Sequence, residues 1–233
     1  MKNFLNLLLF GFLGGVIGAF GFIYFSGRYS ANISEAALPT PVISATPSLG
    51  FWERIISDAS LASVGIQVFQ ANQLAKQGSG IIVSSDGLIA TVADLVVPGA
   101  VYQIFYEDRI IKGTVVSRNY NLNLLIIKTD NAYSNIATLG ANSYNNGQEV
   151  VLVGKLMALS SPAIFSQKGT ISYITEKNVI LDTVADKSLY GAGVVNSDGD
   201  FIGLSYLRTG KVNLIRAGSI QNFIQEYLDK KTK

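Results

Sequence analysis

The 233-residue chain contains no histidine and no cysteine. Histidine is the side chain whose ordinary pKa lets it accept and return a proton near neutral pH, so its absence removes the usual general base of a hydrolase. The absence of cysteine excludes a thiolate nucleophile, a thiolate metal site and any disulfide. Catalysis would therefore have to use hydroxyls, amines and carboxylates, and an ordinary packed core has to hold the fold together.

The chain also lacks an excess of charge of one sign. Its 18 basic and 16 acidic residues leave a net charge of +2, which gives no reason to expect nucleic acid as a partner. The carboxylates are scattered and imidazole and thiolate ligands are absent, so we expect no metal site. No glycine-rich phosphate-binding motif is followed by Lys and Ser or Thr, and we expect no cofactor.

The first 26 residues predict a transmembrane helix. Between Phe4 and Phe25 the only clearly polar side chain is Asn6, and as a helix this stretch is long enough to cross a hydrocarbon layer of about 30 Å. A cleaved signal peptide is the alternative, but its apolar region would be shorter and would end at a small-residue cleavage site, whereas this stretch continues towards Arg28. We therefore predict an uncleaved, single-pass signal anchor over residues 1–26, with the membrane as a partner.

The rest of the chain is predicted to lie outside the cytoplasm, in the periplasm or the extracellular space. Lys2 precedes the apolar stretch, so the positive-inside bias weakly favours a cytoplasmic N-terminus. Residues 27–50 contain three of the five prolines among Ser, Thr and Ala, a composition typical of a semi-extended linker. Residues 51–233 remain for a folded domain, enough for one sizeable core or two small half-domains.

The pattern within residues 51–233 predicts an all-β domain. About a dozen short apolar segments rich in Val, Ile and Tyr recur between Gly, Asn and Asp turns from Ser63 to Ile215, which indicates a barrel or a sandwich. Apolar residues at helical spacing occur on either side, in residues 51–61 and 220–228. Ser219 is the predicted N-cap of the second helix.

Four segments carry a resemblance to a known family: GSGIIVSSDGLI at residues 78–89, TVADLV at 91–96, NLLIIK at 123–128 and YGAGVVNSDG at 190–199. In this order and spacing they resemble the opening, the histidine-bearing, the aspartate-bearing and the nucleophile segments of an HtrA-type, trypsin-like serine protease domain. The resemblance covers roughly residues 60–228. It implies a chymotrypsin/trypsin-like fold of two six-stranded β-barrels with a cleft between them and a C-terminal helix. We expect no PDZ domain, since only a few residues follow Leu228.

The resemblance places the triad base at Asp94, the orienting acid at Asn123 and the nucleophile at Tyr190. An aspartate with a pKa near 3.9 is a feeble base, an amide carries no charge, and a phenol is too bulky to replace a serine hydroxyl on a tight turn. Ser188 replaces the glycine that helps to shape the family's oxyanion site, and Leu189 replaces the asparagine that follows it. We therefore predict a degenerate protease domain with no catalytic residues.

The loop from Lys187 to Gly191 contains the binding candidates, which are Lys187, Ser188, Leu189, Tyr190 and Gly191. These residues could form the floor of a cleft that binds a peptide or protein. Alternatively, Leu189 and Tyr190 fill a cleft that no longer receives substrate, burying apolar surface there. The sequence favours the second interpretation, because apolar filling requires no partner.

Three functions follow from these observations. The main prediction is a membrane-anchored, catalytically inactive trypsin-like serine protease homologue, a pseudoprotease, that binds peptide or protein outside the cytoplasm. A second possibility is a serine hydrolase with a rearranged pair of hydroxyl and amine. The candidate residues for that pair are Ser188, Ser160, Ser161, Lys187, Lys168 and Lys155. A third possibility is a structural protein that assembles in the membrane through its anchor or its barrel surface.

Overall fold

The computed structural model describes residues 49–140, 143–156 and 162–232, which contain two α-helices and twelve β-strands. In chain order these elements are α1 (Leu49–Leu61), β1 (Ser63–Gln70), β2 (Gln73–Ile82), β3 (Leu88–Val92), β4 (Val101–Tyr106), β5 (Arg109–Asn119), β6 (Leu124–Thr129), β7 (Glu149–Leu156), β8 (Ala163–Ile174), β9 (Val179–Asp182), β10 (Gly193–Val195), β11 (Phe201–Arg208), β12 (Lys211–Arg216) and α2 (Ala217–Thr232). The predicted membrane anchor, residues 1–26, lies outside the described residues. So does the predicted linker, except for its last two residues, which belong to α1. Neither described helix is long and apolar enough to cross a membrane.

The strands form two closed antiparallel barrels of six strands each. The first has the order β1-β2-β3-β6-β5-β4 and the second the order β10-β11-β12-β9-β8-β7. Closure gives every strand a neighbour on both sides over at least part of its length, which limits the exposed edges that favour aggregation. The predicted all-β double barrel with a C-terminal helix is therefore confirmed, and the choice between barrel and sandwich is decided in favour of barrels.

Each barrel encloses an apolar core built from its inward-facing residues. Ile66, Ile104 and Leu125 are fully buried in the first core, and Leu152 and Val194 are fully buried in the second. Branched aliphatic side chains suit the pleated surface of a strand, which explains why the short Val- and Ile-rich segments form strands. Burial of such side chains, at about 25 cal/mol per Å² of apolar surface, is the main driving force for this disulfide-free domain.

The two helices cover the barrels with one apolar face each. Trp52 and Ile55 of α1 and Ile220 and Phe223 of α2 are buried in the same cluster as the first-barrel core. These residues have the helical spacing that the sequence pattern predicted. The cluster also includes Val153 of β7, so apolar contact continues from the first barrel to the second.

The start of α2 differs from the prediction. The helix begins at Ala217, two residues before the predicted N-cap Ser219. The backbone N–H of Ala217 donates to the hydroxyl of Tyr144 over 3.3 Å. A side chain distant in sequence thus supplies an acceptor at this helix terminus, which local sequence could not show.

Ser79 of β2 connects the two barrels. This residue is fully buried, and its N–H donates to the carbonyl of Tyr190 in the second barrel over 2.8 Å. Its hydroxyl oxygen accepts from the N–H of Lys155 on β7 at 3.0 Å, and its carbonyl accepts from the hydroxyl of Thr91 at 2.6 Å. Ser79 therefore fixes the position of the loop before β10 relative to the first barrel.

We expect Ser79→Ala to lower the free energy of unfolding by about 1–3 kcal/mol, because it removes the hydroxyl acceptor of a buried backbone N–H. Urea unfolding at equilibrium measures the loss. Ser60→Ala is the matched control, because the Ser60 hydroxyl donates within α1, to the Ser57 carbonyl, and accepts no backbone N–H in the contact that it makes. An equal loss for the two variants would show that the contact between the barrels has no special weight.

Candidate functional site

The side chains at the predicted base and acid positions lie next to each other. Asp94 is on a short 3-10 turn, Ala93–Leu95, after β3, and Asn123 directly precedes β6 with a left-handed φ of 54°. The amide nitrogen of Asn123 donates to the Asp94 carboxylate over 2.8 Å, and its amide oxygen accepts from the Asp94 N–H at 3.0 Å. The fold therefore brings the two positions together, with a carboxylate at the base position and an uncharged amide at the acid position.

The predicted nucleophile position lies at the end of a second 3-10 turn, Lys187–Leu189. Tyr190 follows this turn, and its carbonyl accepts the hydrogen bond from Ser79. Gly191 comes next in a left-handed conformation with φ of 74°, and a Cβ atom there would lie 2.1 Å from the Ser79 carbonyl oxygen. Only glycine fits this close approach of two backbone segments.

The same turn holds the backbone N–H groups that an oxyanion site would need. Such a site requires N–H groups that point at the reacting carbonyl and have no acceptor inside the protein. The N–H of Ser188 donates to the carboxylate of Asp186 over 2.8 Å, and the N–H of Tyr190 donates to the Lys187 carbonyl over 3.3 Å. Neither N–H group is therefore available to a tetrahedral intermediate in this conformation.

Asp186 acts as the N-cap of this turn. Hydrogen bonds from the side chain and the backbone of Ser188 hold the pKa of the Asp186 carboxyl below its ordinary value. Hydrogen bonding to the ionised form of a carboxyl stabilises that form, which explains the direction of the change. Ionised Asp186 consequently stabilises the turn that keeps the Ser188 N–H occupied.

We expect Asp186→Ala to lower the free energy of unfolding by about 0.5–1 kcal/mol at neutral pH, since the capping carboxylate is exposed and screened by solvent. Because folding depresses this pKa, the contribution is present above the unfolded value of about 3.9 and disappears as the pH falls through the lower folded value. Urea unfolding of both proteins between pH 7 and pH 2 checks this, with Asp130→Ala as an exposed-carboxylate control. A difference that persists unchanged at pH 2 would exclude the ionised cap.

A cavity of about 560 Å³ contains both Asp94 and Tyr190. Residues 74–77 of β2 form one wall, and the loop from Asp186 to Ser188 forms another. Tyr190 is half-buried and lines this cavity, whereas Leu189 is fully buried in the core of the second barrel. The filling role considered for both residues therefore fits Leu189, while Tyr190 leaves a space beside it.

A second cavity, of about 480 Å³, lies on the other side of Asp94 and shares Lys76 and Asp94 with the first. Asn123, Tyr120 and Tyr206 are among the residues that line it. The ammonium group of Lys76 donates to the carbonyl oxygen of Asp94 and to that of Val96, so it holds the 3-10 turn between the two cavities. Sequence reasoning missed this space, because its walls come from four segments that are separated in sequence.

Two strand segments beside these cavities have one unpaired edge. Among the described residues, Gln73–Gln77 of β2 pair only with β1, since β3 joins β2 at Ile81 and Ile82 alone. Residues 206–208 of β11 likewise pair only with β12, because β10 reaches β11 no further than Leu204. Free backbone N–H and C=O groups on such edges can pair with an added extended chain.

Of the proposed serine and lysine pairs, the structure describes only those that involve Ser188. Ser160 and Ser161 lie outside the described residues. The ammonium of Lys155 lies 5.4 Å from the ring centre of Tyr106, and that of Lys168 lies 5.3 Å from the ring centre of Trp52, and neither lysine lines the 560 Å³ cavity. Burial lowers the pKa of Lys155, but no serine hydroxyl is hydrogen-bonded to its ammonium among the described contacts. The Ser188 N–H donates to the Asp186 carboxylate, and among the described residues no hydrogen bond joins Ser188 to Lys187, Lys168 or Lys155.

No group of three or more acidic side chains that could hold a metal ion occurs in the ranges that the structure describes.

The five loop residues Lys187 to Gly191, predicted as binding candidates, separate into two sets. Lys187, Ser188 and Tyr190 line the 560 Å³ cavity, while Leu189 and Gly191 are buried behind it.

Comparison with known proteins agrees with the fold. The model of a family described as "Trypsin-like peptidase domain" matches residues 78–204, more than half of the chain. Among curated proteins, the chain is similar to the mouse (Mus musculus) and human (Homo sapiens) proteins named Serine protease HTRA4, with 26% identity to each. The matches cover 78% and 88% of this chain but only 42% and 43% of those proteins, so the chain spans about two fifths of the length of these relatives.

Among solved structures, the fold is similar to that of a serine endoprotease from Yersinia pestis. The TM-score is 0.67 at 19% sequence identity, and the match covers 76% of this chain and 66% of that chain. At this identity the likeness concerns the fold alone: a double barrel of the chymotrypsin type with a C-terminal helix.

Proposed function

Since the chain belongs to the trypsin-like peptidase domain family, we propose that it is a catalytically inactive member that binds extended peptide segments without cleaving them. The single observation that carries this proposal is the state of the site at the three triad positions. Asp94 and Asn123 are hydrogen-bonded to each other beside a cavity whose nucleophile position is Tyr190. The cavity is present, whereas the groups that would make it catalytic are not.

The loss of catalysis involves two independent requirements of acyl transfer. A nucleophile needs an adjacent base to accept its proton, and the Asp94–Asn123 pair supplies a weak base at most. The developing oxyanion needs free backbone N–H groups, and those of Ser188 and Tyr190 already have acceptors. Each deficit alone would cost orders of magnitude in rate, because a general base contributes about 10²–10⁴-fold and one oxyanion donor about 10²–10³-fold.

Peptide binding is supported by the unpaired strand edges. An extended segment could add to residues 73–77 of β2 in the 560 Å³ cavity, or to residues 206–208 of β11 in the 480 Å³ cavity. Main-chain hydrogen bonds of this kind give affinity with little dependence on sequence, and pockets for alternate side chains give selectivity.

We also propose that the domain is displayed outside the cytoplasm on a single N-terminal membrane anchor. The support is the apolar stretch over residues 1–26 and the proline-containing stretch that follows it. Resistance to alkaline extraction from membranes, together with cleavage of the domain by external protease in intact cells or spheroplasts, tests the anchor and its orientation. Release into the soluble fraction would overturn it.

The decisive experiment uses the purified full chain in detergent. We expect no labelling by a fluorophosphonate probe, no turnover of tiled ten-residue peptides, and saturable binding of some of the same peptides by calorimetry. Labelling that disappears in Ser188→Ala would establish a serine hydrolase instead. Failure of every peptide to bind would overturn the binding function and leave a structural protein.

A further inference from the structure

The 480 Å³ cavity and a groove next to it are lined by more cationic than anionic side chains. The 480 Å³ cavity adjoins a groove of about 380 Å³, and the two share Val96. The lining cations are Lys76 and Arg208 in the cavity and Lys112 and Arg118 in the groove. Asp94 is the one carboxylate among the residues that line the two.

None of these four cations is neutralised by a neighbouring acid. Within the described part of the chain, the ion pairs within 4.0 Å are Arg109 with Glu107 and Lys128 with Asp86, both elsewhere on the first barrel. The Lys76 ammonium binds backbone carbonyls, which carry no net charge. The Asp94 carboxylate already accepts a hydrogen bond from Asn123.

Arg118 and Tyr120 connect the groove and the cavity. The Arg118 guanidinium lies 5.8 Å from the ring centre of Tyr120, whose side chain is 63% exposed and lines the 480 Å³ cavity. Tyr120 and Tyr206 of β11 both line this cavity and provide aromatic surface next to the positive charge. The surface is therefore continuous, basic and partly aromatic.

The excess of positive charge is confined to the 480 Å³ cavity and its adjoining groove. The 560 Å³ cavity on the other side of Asp94 has balanced charges, with Lys76 and Lys187 against Asp94 and Asp186. The whole chain carries only +2. General basicity therefore does not explain four cations and one carboxylate around the 480 Å³ cavity and its adjoining groove.

We propose, on the basis of the proposed peptide-binding function, that the segment bound in this cavity and groove is an acidic peptide. Alternate side chains of an extended segment paired with residues 206–208 of β11 would point the same way, so carboxylates at every second position could approach Lys76, Arg208 and Arg118. The free β11 edge favours a peptide over other polyanions, because its alternating N–H and C=O groups match a second peptide backbone.

The test compares three capped ten-residue peptides in which Glu, Gln or Lys alternates with Ala or Val, titrated by calorimetry into the full chain in detergent. We expect the Glu peptide to bind at least about tenfold more tightly than the Gln peptide in 50 mM salt. The preference should shrink in 1 M salt, where the Debye length falls to about 3 Å.

Single substitutions identify the residues that cause the preference for the Glu peptide. Arg118→Gln and Arg208→Gln should each weaken binding of the Glu peptide about two- to fivefold and leave the Gln peptide unchanged. Lys177→Gln is the matched control, because it removes one positive charge from an exposed turn between β8 and β9 that lines neither space. It should not change the preference.

Three results would overturn the proposal. If the Glu and Gln peptides bind equally, or the Lys peptide binds most tightly, peptide binding stands and its acidic selectivity is wrong. If single-stranded DNA or phosphatidylglycerol vesicles bind more tightly than the Glu peptide, the basic surface serves another anion. If no peptide binds at either salt concentration, the proposed peptide-binding function itself is wrong. The first two results would overturn only the selectivity for acidic peptides.

Discussion

The triple variant Asp94→His, Asn123→Asp, Tyr190→Ser should remain a very poor peptidase until the oxyanion site is released as well. Adding Asp186→Ala and Ser188→Gly should raise kcat by about 10²–10³-fold, the usual contribution of one oxyanion donor. Positions 94 and 123 already share two hydrogen bonds, and position 190 lines the same cavity as position 94, so the triad side chains would be close together. The remaining obstacle is the oxyanion site, because the Asp186 carboxylate occupies the Ser188 N–H and the Lys187 carbonyl accepts from the N–H of residue 190.

Hydrolysis of a fluorogenic peptide and labelling by a fluorophosphonate measure this gain. The control is the variant with all five substitutions but with Tyr190→Ala in place of Tyr190→Ser. It lacks a nucleophile and should show neither turnover nor labelling. Thermal unfolding of every variant checks that each is folded. Equal rates for the variant with three substitutions and the variant with five would show that the Asp186 cap does not limit the oxyanion site.

Gly191→Ala should destabilise the domain by on the order of 4 kcal/mol, because it combines left-handed backbone strain with a steric clash and the loss of a buried hydrogen bond. The residue has φ of 74°, and a Cβ atom would lie 2.1 Å from the Ser79 carbonyl oxygen and 2.5 Å from the Thr91 hydroxyl. Relief would require the loop before β10 to separate from β2, which breaks the buried hydrogen bond from Ser79 to Tyr190.

Gly199→Ala separates backbone strain from this steric clash. Gly199 also has a positive φ, of 87°, but nothing lies within 4 Å of a Cβ atom built there. The Gly199→Ala variant should lose about 1 kcal/mol in free energy of unfolding, from the left-handed conformation alone. Urea unfolding of the two variants measures the difference, and equal losses would mean that the contact between β2 and the loop can yield.

Much of the fold could be predicted because it depends on local patterning. Short Val- and Ile-rich segments between Gly and Asp turns become strands, and the helical spacing of Ile220 and Phe223 becomes the buried face of α2. The start of α2 could not be predicted, because its terminal N–H finds an acceptor on Tyr144, more than seventy residues away. Closure of each sheet into a barrel was implied by the family resemblance and is established by strand pairing.

The candidate site was predicted in part. The resemblance predicted that Asp94, Asn123 and Tyr190 belong to one site. In the structure Asn123 is hydrogen-bonded to Asp94, and Tyr190 lines a cavity together with Asp94. Asp186 was not predicted, although it occupies the Ser188 N–H, because a carboxylate two residues before a serine has no distinctive pattern in the sequence. Lys76, Tyr120 and Arg208 were also missed, since they meet only where three distant segments converge.

The sequence by itself determined what chemistry this protein lacks. A chain without histidine or cysteine has neither the usual base nor a thiolate, whatever its fold. Only the tertiary structure decided what the remaining residues do. Hydrogen bonds between distant loops pair Asp94 with Asn123, the Asp186 carboxylate occupies a backbone donor, and four cations converge beside unpaired strand edges. Those outcomes depend on distances of about 3 Å between residues far apart in the chain, and such distances exist only after both barrels have closed and packed together.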